Sequence, residues 1–214
     1  MGRELELATT SAQDTRRLAA TVAASLRVGD VISLTGELGA GKTCFVQGAA
    51  AALGVTERVT SPTFLLRRDY QGRVPVVHVD VYRLDTLREA SELGLDEVER
   101  SVTFIEWGDA MQPLLPAGHL EIMFSALETG LDGSDPDGAG ERGGGDGDGG
   151  GGERERDGGG RGDGDREPPG VDEVRSVVLR PRGADWRRRI VGLAVDCAPW
   201  RRDGGPQHLD MMEL

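Results

Sequence analysis

The sequence predicts an α/β domain interrupted by a disordered Gly/Asp/Arg-rich loop, and three observations lead there. A short apolar run, Val31-Ile-Ser-Leu34, passes through a glycine-rich turn straight into an Ala-rich segment from Lys42 to about Leu53. Further apolar runs of strand length alternate with segments of helical spacing, as in α/β domains. The shortage of apolar residues is local: of the 33 glycines in 214 residues, 18 lie between Thr129 and Gly170, with one Leu and no other large apolar residue. That tract holds 12 acids and 5 arginines, so it carries −7 of the net −12. It has no Gly-X-Y period and reads as flexible coil. The remaining ~170 residues suffice for one core.

Taken in order, Ser11-Ala-Gln-Asp14 can cap a helix that continues through Leu18, Val22 and Leu26, and Gly29-Asp30 breaks it. Val31–Leu34 is a buried strand, and the helix that starts at Lys42 stops at Gly54. Phe64–Tyr70 and Val74–Val81 flank Gln71-Gly72-Arg73, the pattern of a hairpin. Leu84–Leu93 is helical with Gly94 as its stop, and Val102–Ile105 is another buried strand. His119–Leu127 and Val174–Leu179 read as two strands of a hairpin whose loop the Gly/Asp/Arg tract has expanded, and a helix over Asp185–Leu193 closes the domain. A long flexible loop adds only ~0.6 kcal/mol per doubling of its length. The expected organisation is a core over 1–128, an insertion over 129–170, a completing strand and helix over 171–196, and a tail over 197–214.

Composition excludes several classes. No apolar run approaches the ~18–20 residues of a membrane span, and the acidic start Met1-Gly-Arg-Glu-Leu-Glu6 is unlike a leader. Cys44 and Cys197 have no metal-ligand spacing and make no disulfide framework, so a reducing cytoplasm is expected. The acidic balance argues against direct grip on DNA or RNA, which rests on clustered Lys and Arg. Of the 25 basic residues, Lys42 is the one lysine, a position where ammonium and guanidinium are not equivalent.

Lys42 lies in Gly36-Glu-Leu-Gly39-Ala-Gly41-Lys42-Thr43, a full match to G-x-x-x-x-G-K-[ST] between strand and helix. Glycines let the backbone N–H groups of Glu37, Leu38, Gly39, Ala40 and Gly41 turn inward around a phosphate, and the following helix aims its positive end at the same anion. Lys42 can reach the β- and γ-phosphates, and the Thr43 hydroxyl can bind Mg²⁺. Such a loop needs an acid at a neighbouring strand end to organise Mg²⁺ or water, and Asp80 and Glu106 each follow an apolar run. Trp107 either stacks on the nucleotide or belongs to the core, and His78 reads as structural before catalytic. Ser61-Pro-Thr-Phe64 stands where a phosphate-sensing segment would fall, though it equally reads as a capped strand start. Cys44 reads as small-residue packing on the helix.

Asn-Lys-x-Asp, the guanine-reading motif of Ras-type GTPases, needs a lysine that this chain has already placed in its loop. Together, Gly36–Thr43, Ser61–Phe64, His78-Val-Asp-Val-Tyr-Arg-Leu84, Glu92-Leu-Gly-Leu95 and Ile105-Glu-Trp107 resemble, in order and spacing, the TsaE (YjeE) family of tRNA threonylcarbamoyladenosine biosynthesis. The resemblance covers about Leu7 to Leu127 and resumes at Val174–Leu193. It implies a P-loop NTPase-like three-layer α/β/α fold with a mixed parallel and antiparallel sheet. It also implies ATP hydrolysis in support of a TsaB/TsaD-like partner complex that modifies the adenosine beside the anticodon, with tRNA met only through the partner. On this resemblance Lys42 holds phosphate, Thr43 and Glu106 hold Mg²⁺, and Asp80 positions the water or the ion. Trp107 then sits by the nucleotide, and Ser11 and Ala12 lie near it.

Two other readings compete: a nucleotide-gated binding module with incidental hydrolysis, and a small-molecule phosphotransferase. The module predicts that Asp80→Asn retains ATP binding and still supports the partner, and the phosphotransferase predicts a phosphorylated product. The chain departs from the resemblance in its Gly/Asp/Arg tract and in the residues after Leu193, including Trp200. Replacing Thr129–Gly170 by a short turn is expected to leave ATP hydrolysis intact, measured as phosphate release. Loss of nucleotide binding in that deletion would mean that the tract belongs to the site.

Overall fold

The computed structural model describes residues 4–83, 89, 99–126 and 174–202. The chain divides into two units, Met1–Leu127 with Asp172–Leu214, and Glu128–Val171, and all described residues belong to the first. Its centre is a seven-stranded sheet in the order β1-β7-β6-β2-β5-β4-β3. The strands are β1 (Leu5–Thr9), β2 (Val31–Thr35), β3 (Arg67–Tyr70), β4 (Val76–Asp80), β5 (Val102–Glu106), β6 (Leu120–Ala126) and β7 (Arg175–Pro181). β2 pairs in parallel with β5 and β6, and β4 with β5, while β3–β4, β6–β7 and β1–β7 are antiparallel. This is an α/β fold with a mixed sheet. The expected hairpins are present, although the first begins at Arg67 and resumes at Val76, leaving Phe64 in a turn. The second pairs Ala126 with Arg175, so the Gly/Asp/Arg tract connects neighbouring antiparallel strands. The tract, and the helix expected over 84–93 apart from Glu89, lie outside the described residues.

Side chains of β2, β4 and β5 alternate between the two faces, and all of these strand residues are buried, which is why their sequences read as continuous apolar runs. Ile32, Leu34, Val76, Val102 and Phe104 join the larger core with helices α1 (Ala12–Ala23), α2 (Lys42–Ala52) and α3 (Gly183–Asp196). Val31, Val77, Val79 and Ile105 face the other way, onto Met111 of the 3-10 turn Gly108–Leu114. Among the described residues, no helix is long and apolar enough to cross a membrane.

Ser11 caps α1 as its sequence predicts, its Oγ accepting from the Asp14 N–H at 3.1 Å. The helix ends at Ala23, short of Leu26. β1 was not among the expected elements, yet Leu5, Leu7 and Thr9 alternate with more exposed residues in the period of a half-buried strand. It pairs in full only with β7, a strand far away in the chain. The residues after α3 also pack: Trp200 Nε1 donates to Asp14 Oδ1 at 2.9 Å, and Arg201 bridges Leu7. Arg189 pins α3 to the turn before β2, donating to both Asp30 oxygens at 2.6 and 2.7 Å while its guanidinium stacks 3.8 Å from the Trp186 ring centroid.

α1 and α2 pack closely enough that a Cβ on Gly48 would lie 2.4 Å from the Arg16 carbonyl oxygen. Gly48→Ala is expected to destabilise the fold by about 1–2 kcal/mol, overpacking outweighing the better helix propensity. Urea denaturation with an unchanged m value is the check, and a midpoint equal to wild type would contradict this packing.

Candidate functional site

β2 ends at Thr35 and the chain turns through Gly36–Gly41 into α2. Gly36, Gly39 and Gly41 hold φ of 132°, 80° and 111°, torsions that side chains with a Cβ resist. At Gly36 a Cβ would also meet the Phe124 carbonyl oxygen at 2.4 Å, so the start of the loop lies against β6. Lys42, the first residue of α2, is 4% exposed, and its Nζ curls back to donate to the carbonyls of Gly36 at 2.7 Å and Glu37 at 2.8 Å. Burial pushes its pKa below the ordinary lysine value, with Glu106, Asp80 and Asp109 pulling it back up.

Asp80 and Glu106 stand directly opposite each other at the ends of β4 and β5. Glu106 Oε1 accepts from Thr43 Oγ1 at 2.7 Å and lies 2.8 Å from His78 Nε2. His78 is fully buried, and its Nδ1 has no hydrogen-bond partner. Its Nε2 contact ties the buried ring to that acid, as a structural histidine would be. Asp80 accepts from Ser61 Oγ at 3.1 Å, from the Thr63 hydroxyl, and from the Tyr82 N–H at 3.0 Å. Thus Ser61–Thr63 does come to the site, held by an acid.

Trp107 leaves β5 with φ of 62°, an unfavourable torsion for an aromatic residue. This turn puts its ring 3.8 Å from Lys42 Nζ, a cation–π contact, and 4.9 Å from the ring of Tyr82. The indole also packs partly on the second core, one of the two sequence expectations for it. Ser11 and Ala12, at the start of α1, are tied to the first turn of α2 by Cys44 Sγ, which donates to the Ala12 carbonyl at 3.1 Å. Cys44 therefore links two elements beside the loop. Glu37, Leu38 and Gly39 are exposed at the loop tip, and Ala40 is half-buried.

The motif reading gives no role to two residues here. Tyr82, inside the His78–Leu84 run, meets the Trp107 ring at a tilt of 43°, and its place two residues after Asp80 was the available signal. Arg175, at the start of β7, brings its Cδ and Nε to 3.6 and 3.9 Å from where a Gly41 Cβ would stand. No local pattern marks it, because it follows the insertion and reaches the loop only through strand pairing.

The arrangement combines a glycine-bent loop at a helix N-terminus, an ammonium, a hydroxyl and two carboxylates at neighbouring strand ends, a set suited to an anion with a divalent cation beside it. Since Asp80 organises the segment over 61–66, Asp80→Ala is expected to accelerate amide hydrogen exchange there by roughly tenfold or more. Exchange unchanged from wild type across that segment would show that its own turns suffice.

A family model described as threonylcarbamoyl adenosine biosynthesis protein TsaE matches residues 9–131. The tRNA threonylcarbamoyladenosine biosynthesis protein TsaE of Treponema pallidum is 43% identical over 122 residues, covering 56% of this chain and 90% of that protein. The protein of the same name from Bacillus subtilis is 40% identical over 124 residues, covering 56% and 77%. A crystal structure of Bacillus subtilis YdiB superposes with a TM-score of 0.59 at 26% identity, covering 93% of this chain and 97% of that one. With its loop, strand-end acids and mixed sheet, the chain belongs to the TsaE family of tRNA threonylcarbamoyladenosine biosynthesis.

Proposed function

We propose that this chain binds ATP with Mg²⁺ at the Gly36–Thr43 loop and hydrolyses it in the cytoplasm, in support of a TsaB/TsaD-like complex that installs threonylcarbamoyl on tRNA. The observation that carries the reading is the convergence of Lys42, Thr43, Glu106 and Asp80 at one end of three adjacent strands. Among the described residues, no group of three or more His, Cys, Asp and Glu side chains could hold a metal ion by itself. A site with one hydroxyl and one or two carboxylates suits Mg²⁺, which keeps several waters and takes further oxygens from substrate phosphates. Thr43 and Glu106 would hold such an ion, which would supply neutralisation of phosphate charge.

The chain's own residues supply the rest. The loop amides and the N-terminus of α2 bind the phosphates. Lys42, whose two carbonyl contacts are replaceable by phosphate oxygens, places its ammonium on the β- and γ-phosphates, with the Trp107 face beside that ammonium. Thr43 and Glu106 provide the metal's protein oxygens, with His78 fixing the Glu106 carboxylate from behind. Asp80 orients the attacking water, and the Ser61 and Thr63 hydroxyls steady that carboxylate. Ser11 and Ala12 stand on the nucleoside side. Leu38, Phe64, Leu65 and Tyr82 are exposed around this opening and offer an apolar rim for the partner complex. Contact with tRNA then runs through the partner.

The test has two levels. Glu106→Gln and Lys42→Ala are expected to lower ATP hydrolysis by roughly 100-fold or more. In cells depleted of the protein, mass spectrometry of tRNA nucleosides should show less threonylcarbamoyladenosine, restored by wild type and not by Lys42→Ala. An unchanged level of the modified nucleoside would remove the tRNA role. Full rescue by a hydrolysis-dead, ATP-binding variant would turn the reading into a nucleotide-gated module.

A further inference from the structure

We propose that Arg175 is a nucleotide-binding residue that holds the phosphate chain from the nucleoside side of the loop, opposite Asp80 and Glu106. The inference rests on the proposed nucleotide site and adds a residue to it.

Three features of the structure converge on Arg175. The first is proximity: Cδ and Nε of Arg175 lie 3.6 and 3.9 Å from the position a Cβ on Gly41 would occupy, with Phe124 Cδ1 at 3.8 Å from the same point. The second is direction. Ala126 and Thr9 are its partners across the two ladders, and Phe124 pairs with Val177 one step inward. Residues paired across a ladder, and those two positions along, share a face. Arg175 therefore stands on the face of Phe124 and Val177, where α1 and α2 pack. The third is charge. Among the described residues its side chain has no hydrogen bond, ion pair or aromatic partner, whereas Arg180, Arg182 and Arg189 on the same hairpin and helix are paired with carboxylates.

A guanidinium with no partner among the described residues is electrostatically unfavourable at this place. The N-terminus of α2 already carries partial positive charge, and Lys42 adds a full one at the same loop. The repulsion turns to advantage when an anion enters the loop, and the guanidinium fork matches phosphate oxygens.

Strand order then assigns the part of the ligand it meets. From β2, the acids lie on one side, on β5 and β4, while Arg175 lies on the other, on β7 beyond β6. Beyond it comes β1, which leads into Ser11 and Ala12. A γ-phosphate and its metal belong with the acids, so Arg175 faces the α- and β-phosphates. It should bind diphosphate and triphosphate equally.

The experiment is equilibrium binding of ADP and of ATP by calorimetry, each with Mg²⁺ and with EDTA, using the full chain. Arg175→Ala is expected to weaken both nucleotides by roughly 10- to 100-fold, with or without Mg²⁺. Arg175→Lys should recover part of the affinity, because an ammonium keeps the charge and loses the fork. Wild-type affinity for ADP in Arg175→Ala overturns the inference, and so does a loss confined to ATP or to Mg²⁺. If Arg175→Ala melts early, Arg175→Lys and Arg175→Gln decide the question on folded protein: graded loss supports the inference and equal affinity overturns it. Lys42→Ala serves as the reference for a damaged loop. If wild type binds neither nucleotide, the reading of the loop itself fails, a result distinct from normal binding by the Arg175 variants.

Discussion

β2 is hydrogen-bonded in parallel on both sides, to β5 and to β6, and what the loop after it can do depends on that position. A glycine-rich turn emerging at a sheet edge would meet solvent on one side. Emerging from the middle, it meets carboxylates at the ends of β5 and β4, and an aromatic and a guanidinium at the ends of β6 and β7. The site is thus electrically asymmetric across the loop, with acids on one flank and a cation on the other. A polyanion with a metal at one end is the kind of ligand whose charge distribution follows that asymmetry.

The same placement explains the strained residue at the site. Trp107 directly follows Glu106, so it lies where β5 must leave the sheet, and its N–H is held by the Leu34 carbonyl of β2 at 2.8 Å. With that bond made, the left-handed torsion is what brings the indole over Lys42 and beside Tyr82. Strain of about 1 kcal/mol or more at such a torsion persists only where its surroundings hold it. Here the backbone bond, the cation–π contact and packing on the second core do so together.

The C-terminal part of the chain serves the site from a distance. β7 fills the gap between β1 and β6, and Trp200 then bonds Asp14, in the first turn of the helix that starts at Ser11 and Ala12. Residues on both sides of the long insertion therefore bear on the same loop. Phe124 and Arg175, on the two strands that the insertion separates in sequence, both lie beside Gly41.

Much of this was legible in the sequence wherever the cause is local. Glycines at three left-handed positions, a serine cap, apolar runs bounded by turn residues, and acids directly after such runs express preferences settled within a few residues. From these the loop, α1, α2 and the end-of-strand places of Asp80 and Glu106 follow without tertiary information. β1 escaped because five residues with alternating burial become a strand only when β7 supplies the partner. Strand order, the pairing of Asp80 with Glu106, the curl of Lys42 under Trp107 and the arrival of Arg175 beside Gly41 were decided by the tertiary structure alone. The reason is physical: a torsion or a cap belongs to its own few residues, whereas a sheet order is chosen by the summed pairing and burial of segments that the chain brings together from far apart.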